Sequence, residues 1–281
     1  MAIHLILQKW KLIKSLNKVN FWLNNLLNKM KKQKLIKITA LAVATLLFAT
    51  ACANNTTKNS ESEKTEQTTK KTTELKYIKD SSFYLGKDGK AILEKDVDKN
   101  ATIVNWYVDP YCPACVKLEE LTKESIKDYT NNKNVVFKYH ILSFLSARTI
   151  DDYSNRAASW ILGVINERPD LALEYFSNVM TEEFHPNGKA KEDKAFKDLF
   201  IKLGGKETEW KVIESNQKDL IQEVKSNTAK AFNDEALEKL SPTGHLFTPF
   251  IVVGDSDKAL NFDGTVDALE YFKKEIDSKL K

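Results

Sequence analysis

The spacing of apolar positions changes period twice along this 281-residue chain. Phe83-Tyr-Leu-Gly, Lys87-Asp-Gly-Lys and Ala91-Ile-Leu read as a hairpin with Asp88-Gly89 at its turn. Ala101–Val108 is a β-branched and aromatic run of the kind that forms a buried strand. Pro110 ends it, and Pro113 stands where a helix begins, a place at which its missing N–H leaves nothing unpaired. Leu118, Leu121, Ile126 and Tyr129 mark one face of that helix, which runs out at Asn131-Asn-Lys-Asn, and Val135–Ile141 returns to strand. From Asp151 to Leu240 the period is helical. Phe196, Leu199, Phe200 and Leu203 fall at i, i+3, i+4 and i+7 before Gly204-Gly205, and His185-Pro-Asn-Gly188 separates two helices. Trp160, Tyr175, Phe176 and Trp210 are expected to pack in the core. Strands are predicted again at Phe250–Val253 and Leu260–Phe262, around the turn Gly254-Asp-Ser-Asp. A final amphipathic helix carries Leu269, Phe272, Ile276 and Leu280.

The order is therefore hairpin, β, α, β, helical block, β, β, α. Each β portion alone is too small to bury a core. The pattern predicts an α/β domain over residues 77–281, interrupted by a helical subdomain at about 151–241, and not two independent domains.

Charge divides the chain before that domain begins. Residues 1–51 carry nine of the 43 basic residues and no acid, leaving 34 basic against 39 acidic residues from Cys52 onward. A basic leader ahead of a mildly acidic body reads as targeting plus a folded domain. The body has no basic patch with interleaved aromatics, which sets nucleic acid aside. Met30-Lys-Lys-Gln-Lys-Leu-Ile-Lys followed by the charge-free run Ile38–Cys52 has the layout of a signal peptide over residues 30–51. That run is shorter than the roughly 20 residues a membrane-spanning helix requires. Residues 1–29 lie upstream of an already complete signal, so translation is expected to start at Met30. Ala49-Thr50-Ala51-Cys52 resembles the lipobox of bacterial lipoproteins, with Ala49 where leucine is commoner. The resemblance implies lipidation of Cys52, with anchoring at the extracytoplasmic face of the cell membrane. Residues 52–76 then hold the lipidated cysteine and a tether, because 53–73 contains no large apolar residue.

Besides Cys52, the cysteines are Cys112 and Cys115, in Asp109-Pro-Tyr-Cys-Pro-Ala-Cys115. A thiolate, not a thiol, attacks disulfides. Cys112 lies just ahead of the predicted helix, where unpaired N–H groups favour negative charge, and Cys115 follows within hydrogen-bonding reach of its sulfur. A redox-cycling pair is the leading reading. A structural bridge closing so few residues would constrain the unfolded chain little. A metal site would have to be completed from His140, His185 and His245, and no metal is expected.

Asn105-Trp-Tyr-Val-Asp-Pro-Tyr-Cys-Pro-Ala-Cys115 and Phe247-Thr-Pro-Phe-Ile-Val-Val-Gly-Asp255 resemble the thioredoxin superfamily, in its DsbA-like branch with a helical insertion, across residues 80–281. The resemblance implies a thioredoxin-like fold and thiol–disulfide exchange without a cofactor. In it Cys112 and Cys115 are the catalytic pair around Pro113 and Ala114, and Thr248 and a cis Pro249 position the substrate chain. Exported proteins bearing thiols or disulfides are the implied substrates, with a membrane redox partner and with oxidation as the favoured direction. A reductase fed by a membrane electron donor, and a non-enzymatic metal-binding lipoprotein, are the alternatives. Two departures stand out. The buried acid that many members carry six residues before the first cysteine is replaced by Trp106, leaving Asp109 as a weak, solvated candidate proton acceptor for Cys115. The Pro-Ala dipeptide also lacks the histidine found in some strongly oxidising relatives.

Overall fold

The computed structural model describes residues 74–148, 152–184, 191–262, 264 and 267–280. All belong to one compact unit, residues 69–281. The leader, Cys52, residues 53–73 of the tether and the His185–Gly188 break lie outside the described residues.

Strands β1 (Ser82–Leu85) and β2 (Ala91–Ile92) form the expected hairpin, pairing Leu85 with Ala91. Its turn needs two consecutive residues at positive φ, and Asp88 (58°) and Gly89 (68°) supply them. Strand β3 (Thr102–Val108) leads into helix α1 (Pro113–Asn132), and β4 (Val135–Ile141) returns parallel to β3. A 3-10 segment at Phe144–Arg148 begins the helical block. The block comprises α2 (Tyr153–Glu167), α3 (Ala172–Val179), α4 (Asp193–Lys202), α5 (Glu207–Phe232) and α6 (Glu235–Leu240). Strand β5 (Phe250–Val253) then pairs antiparallel with β3, and α7 (Ala268–Asp277) closes the described chain. The sheet order is β2-β1-β4-β3-β5. Among the described residues, no helix is long and apolar enough to cross a membrane.

Alternation along β3 sends Thr102, Val104, Trp106 and Val108 to one fully buried face. Against it pack α1 and α7, with Trp106 stacked on Tyr139 (centroids 5.4 Å) and tilted against Phe272 (5.6 Å). The helical block has its own core, in which Trp160 stacks on Trp210 at 4.7 Å. Gly163 permits that approach of α2 to α5, since a Cβ there would stand 2.8 Å from Ile213. Trp160, Tyr175, Phe176 and Trp210 are all buried, as expected. At the domain's start, Asn166 bonds the backbone of both Glu74 and Tyr77, and Leu75 packs against the core.

Two predicted features differ. Leu260–Phe262 is not a strand. Leu260 N–H reaches Ile251 C=O at 2.8 Å, but Asn261 N–H faces the Tyr271 hydroxyl and Phe262 packs edge-on against Tyr271, so no ladder propagates. Leu121 is 45% exposed and does not share the buried face of α1. That face is built on Cys115, Leu118, Thr122, Ile126 and Tyr129, and at about 100° per residue Leu121 points well off its centre.

The same face of α1 buries a carboxyl. Glu119 is 1% exposed and accepts hydrogen bonds from Ser177 Oγ (2.6 Å) and Tyr139 Oη (3.3 Å). Burial pushes its carboxyl from an ordinary 4.5 up to about 7, against the opposing effects of Ser177, Tyr139 and the Lys123 charge. The folded state therefore holds this proton more tightly than the unfolded chain does. Stability from this group is fully present below the unfolded value and is lost as pH rises from about 4.5 to about 7. The loss amounts to about 3 kcal/mol. Urea unfolding should show a falling midpoint across that window, and Glu119→Gln should flatten it. A wild-type midpoint that rises there would contradict the burial.

Candidate active site

The site forms where β3 gives way to α1. Val108 is the last strand residue, and the turn Asp109-Pro-Tyr bends the chain so that Cys112 becomes the N-cap of α1, with extended φ −84° and ψ 113°. Pro113 occupies the first helical position, as its spacing predicted. The cap is closed by sulfur: Cys112 Sγ accepts the Cys115 N–H at 3.4 Å, while Cys112 C=O accepts Val116 N–H at 3.1 Å. A helix N-terminus that needs an acceptor and a thiol that gains from becoming an anion thus satisfy each other.

Both thiols are free and buried, Cys112 at 5% and Cys115 at 0% exposure. Their environments separate them. The Cys115 thiol, donating to the Cys112 sulfur, is the main cause that lowers Cys112 from 9.0 to about 7; the Cys115 N–H helps, while burial and the Asp109 charge oppose. Desolvation pushes Cys115 well above 9.0, and the hydrogen bond and charge of Cys112 push it further. The pair therefore presents one thiol that ionises near neutrality and one that stays protonated until it is needed.

Across from the pair, Thr248 and Pro249 are joined by a cis peptide bond. Thr248 C=O accepts from Cys112 Sγ at 3.3 Å, so residues 136 positions apart meet at the reactive sulfur. The Thr248 hydroxyl is buried and has no hydrogen-bond partner among the described residues. Beside them runs a groove of about 400 Å³, lined on one wall by Ala114, Lys117 and Leu121 of α1 and on the other by Phe247, Pro249 and Phe262. The exposed Leu121 is thus one wall of a largely apolar slot adjoining the cysteine pair.

Trp106 is fully buried where the acid was expected, and its indole N–H has no partner among the described residues. Asp109, expected to be solvated, is completely buried. Its carboxylate accepts Tyr111 N–H at 2.8 Å, Leu145 N–H at 2.9 Å and the Ser154 hydroxyl. Glu119 is the carboxyl that sequence reading passed over. Its spacing four residues after Cys115 on an otherwise apolar helical face was the available signal. Of the histidines considered for a metal, His140 donates from Nε2 to Asn105 Oδ1 at 3.1 Å and stacks on Tyr107, and burial pulls it down to about 3. His245 is on the surface beside Glu238, and His185 lies outside the described residues. No cluster of three or more His, Cys, Asp or Glu that could hold a metal ion occurs among the described residues.

No family profile matches the chain, and no curated protein matches it. Solved structures do. The thiol-disulfide oxidoreductase MdbA of Corynebacterium diphtheriae superposes with a TM-score of 0.51 at 20% identity, covering 69% of this chain and 93% of that one. Reduced DsbA of Mycobacterium tuberculosis gives 0.53 at 16% identity, covering 71% and 94%. The reduced disulfide bond oxidoreductase DsbG of the same organism gives 0.53 at 18% identity, covering 71% and 89%. These likenesses establish the fold as DsbA-like, a thioredoxin-type α/β unit with helices inserted between β4 and β5.

The asymmetry of the two thiols is directly measurable. Iodoacetamide should modify Cys112 of the reduced, folded protein with a half-maximal rate near pH 7, and leave Cys115 unmodified. Alkylation that rises only toward the ordinary 9.0 would contradict the cap geometry.

Proposed function

We propose that this chain, a thioredoxin-type fold with a helical insertion, is an extracytoplasmic thiol–disulfide oxidoreductase acting through Cys112 and Cys115. The observation that carries the reading is the N-cap sulfur of Cys112. It is lowered toward neutrality, backed by a buried second thiol and faced by the Thr248 carbonyl at 3.3 Å.

In the oxidising direction, a substrate thiolate attacks the Cys112 sulfur of the Cys112–Cys115 disulfide. A mixed disulfide forms and Cys115 leaves, taking up a proton because its buried thiolate is disfavoured. A second substrate thiolate then attacks the substrate's own sulfur in the mixed disulfide. That forms the substrate disulfide and expels Cys112 as a thiolate held by the helix N-terminus. Two electrons pass to the pair, and a membrane redox partner must remove them. Run in reverse, Cys115 resolves the mixed disulfide by attacking Cys112. Thr248 and Pro249 position the substrate chain, with its side chains in the adjoining groove, and no cofactor is required.

Exported proteins are the proposed substrates, and the leader and lipobox-like Cys52 support a position at the outer face of the membrane, where disulfides persist. A reductase is the second reading. It is favoured by the Pro113-Ala114 dipeptide, which lacks the histidine of some strongly oxidising relatives, and the modest lowering of Cys112, to about 7, agrees with it.

Oxidised protein mixed with a reduced, unfolded test protein should transfer its disulfide. Cys112→Ser should abolish transfer, and Cys115→Ser mixed instead with a disulfide-bonded test protein should accumulate the mixed disulfide on non-reducing gels, because Cys112 opens the substrate disulfide and nothing then resolves it. Failure of the wild type to oxidise the test protein, with reduction of a disulfide substrate intact, would favour the reductase. Loss of both activities would overturn exchange altogether. Separately, Cys52→Ser should move the protein from the membrane fraction to the soluble fraction and remove the lipid mass from the mature N-terminus. Unchanged partitioning would refute the anchor.

A further inference from the structure

We propose that Asp109 is a positioning residue for the exchange reaction: its buried carboxylate fastens the Cys112 turn to the helical insertion and sets the reduction potential of the Cys112–Cys115 pair. The inference rests on the exchange reading above and concerns how the pair is tuned.

Asp109 touches the active-site turn through both its side chain and its backbone. Tyr111 N–H donates to Oδ1 at 2.8 Å, an Asx-turn that shapes the residues entering α1. Its own carbonyl accepts the Cys112 N–H at 2.9 Å. Its backbone N–H also faces the Cys115 sulfur, lowering that thiol against the larger effect of burial. Two further donors come from the other side. The Ser154 hydroxyl, in the first turn of α2, donates to Oδ1, and Leu145 N–H, in the 3-10 segment after β4, donates to Oδ2 at 2.9 Å. One carboxylate therefore joins the cysteine turn to two segments at the start of the inserted helices, 36 and 45 residues further along the chain. An exposed Asx-turn would be a local detail. This one is 0% exposed, so the carboxylate is shielded from exchanging its donors for water.

The effect of that carboxylate has a defined sign. The Asp109 charge disfavours the Cys112 thiolate, opposing the donors from Cys115. Destabilising the thiolate weakens the dithiol form and holds the pair at a more reducing potential than the helix N-terminus alone would give. The Ser154 hydroxyl draws density from the carboxylate and moderates the effect. The two residues should thus act in opposite directions, whereas simple loosening of the turn would move both variants the same way.

The test equilibrates the full-length protein with glutathione. The pair's disulfide plus two glutathione thiols give the dithiol plus glutathione disulfide, with two electrons and two protons passing to the pair. Asp109→Asn should raise the reduced-to-oxidised ratio at fixed glutathione poise by at least about threefold, or about 14 mV for a two-electron couple, and lower the pH midpoint of Cys112 alkylation. Ser154→Ala keeps the charge and should shift both readouts the opposite way by a smaller amount. Variants that move together, or a potential unmoved in both, would overturn the inference. Should Asp109→Asn not fold, Ser154→Ala decides alone, with an unchanged or more oxidising pair counting against the inference. A wild-type pair that never equilibrates with glutathione would refute the exchange reading itself, and the inference with it. Normal wild-type equilibration with unmoved variants would refute only the role of Asp109.

Discussion

The Cys115 N–H reaching back to Cys112 Sγ at 3.4 Å is the contact on which the chemistry of this protein depends. An α-helix leaves its first amide groups without partners, and most helices satisfy them with an oxygen from Ser, Thr, Asp or Asn. Here a sulfur takes that place. A neutral thiol is a poor acceptor and a thiolate a good one, so the cap gains strength as Cys112 ionises. Strand β3 and helix α1 exist around this junction to hold the sulfur at the helix end while burying the second cysteine one turn inside.

The surrounding sheet makes that junction rigid. Parallel pairing of β3 with β4 and antiparallel pairing with β5 fix the strand that delivers the cysteines. The same β5 is preceded by Thr248 and Pro249, so a single set of ladder hydrogen bonds aligns the reactive sulfur with the backbone that faces it. The inserted helices are not a passive appendage to this arrangement. Ser177 of α3 bonds Glu119 on the buried face of α1, and Ser154 of α2 bonds Asp109 in the active-site turn. Both acids are buried on the strength of donors supplied by the insertion, as burial of a carboxyl demands.

Interrupting the α/β unit between β4 and β5 therefore has a chemical consequence. With the helices present, the charged and polar groups near the pair sit in a medium of low dielectric, where a hydroxyl or carboxylate a few ångströms away matters more than it would at a surface. The groove beside the pair remains open and largely apolar, with Leu121 turned toward it and away from the core.

The sequence alone determined whatever depends on a residue and its near neighbours. The β-branched and aromatic run marked β3, Asp88-Gly89 marked the hairpin turn, and Cys-Pro-Ala-Cys at a strand end put a sulfur just ahead of a helix, because each is a property of local backbone geometry. The helical block announced itself through its 3.6 period for the same reason. Tertiary structure alone decided what depends on distant partners. Asp109 looked solvated until Leu145 and Ser154 converged on it, and Glu119, on which the sequence reading was silent, is buried with Ser177 and Tyr139 as its donors. Leu260–Phe262 had a strand's composition, yet its amides found Ile251 and Tyr271 in place of a ladder. Whether a polar group is buried, or an apolar run joins a sheet, is settled by the donors and surfaces that other parts of the chain bring to it. Those arrive from residues tens of positions away, beyond the reach of any local pattern.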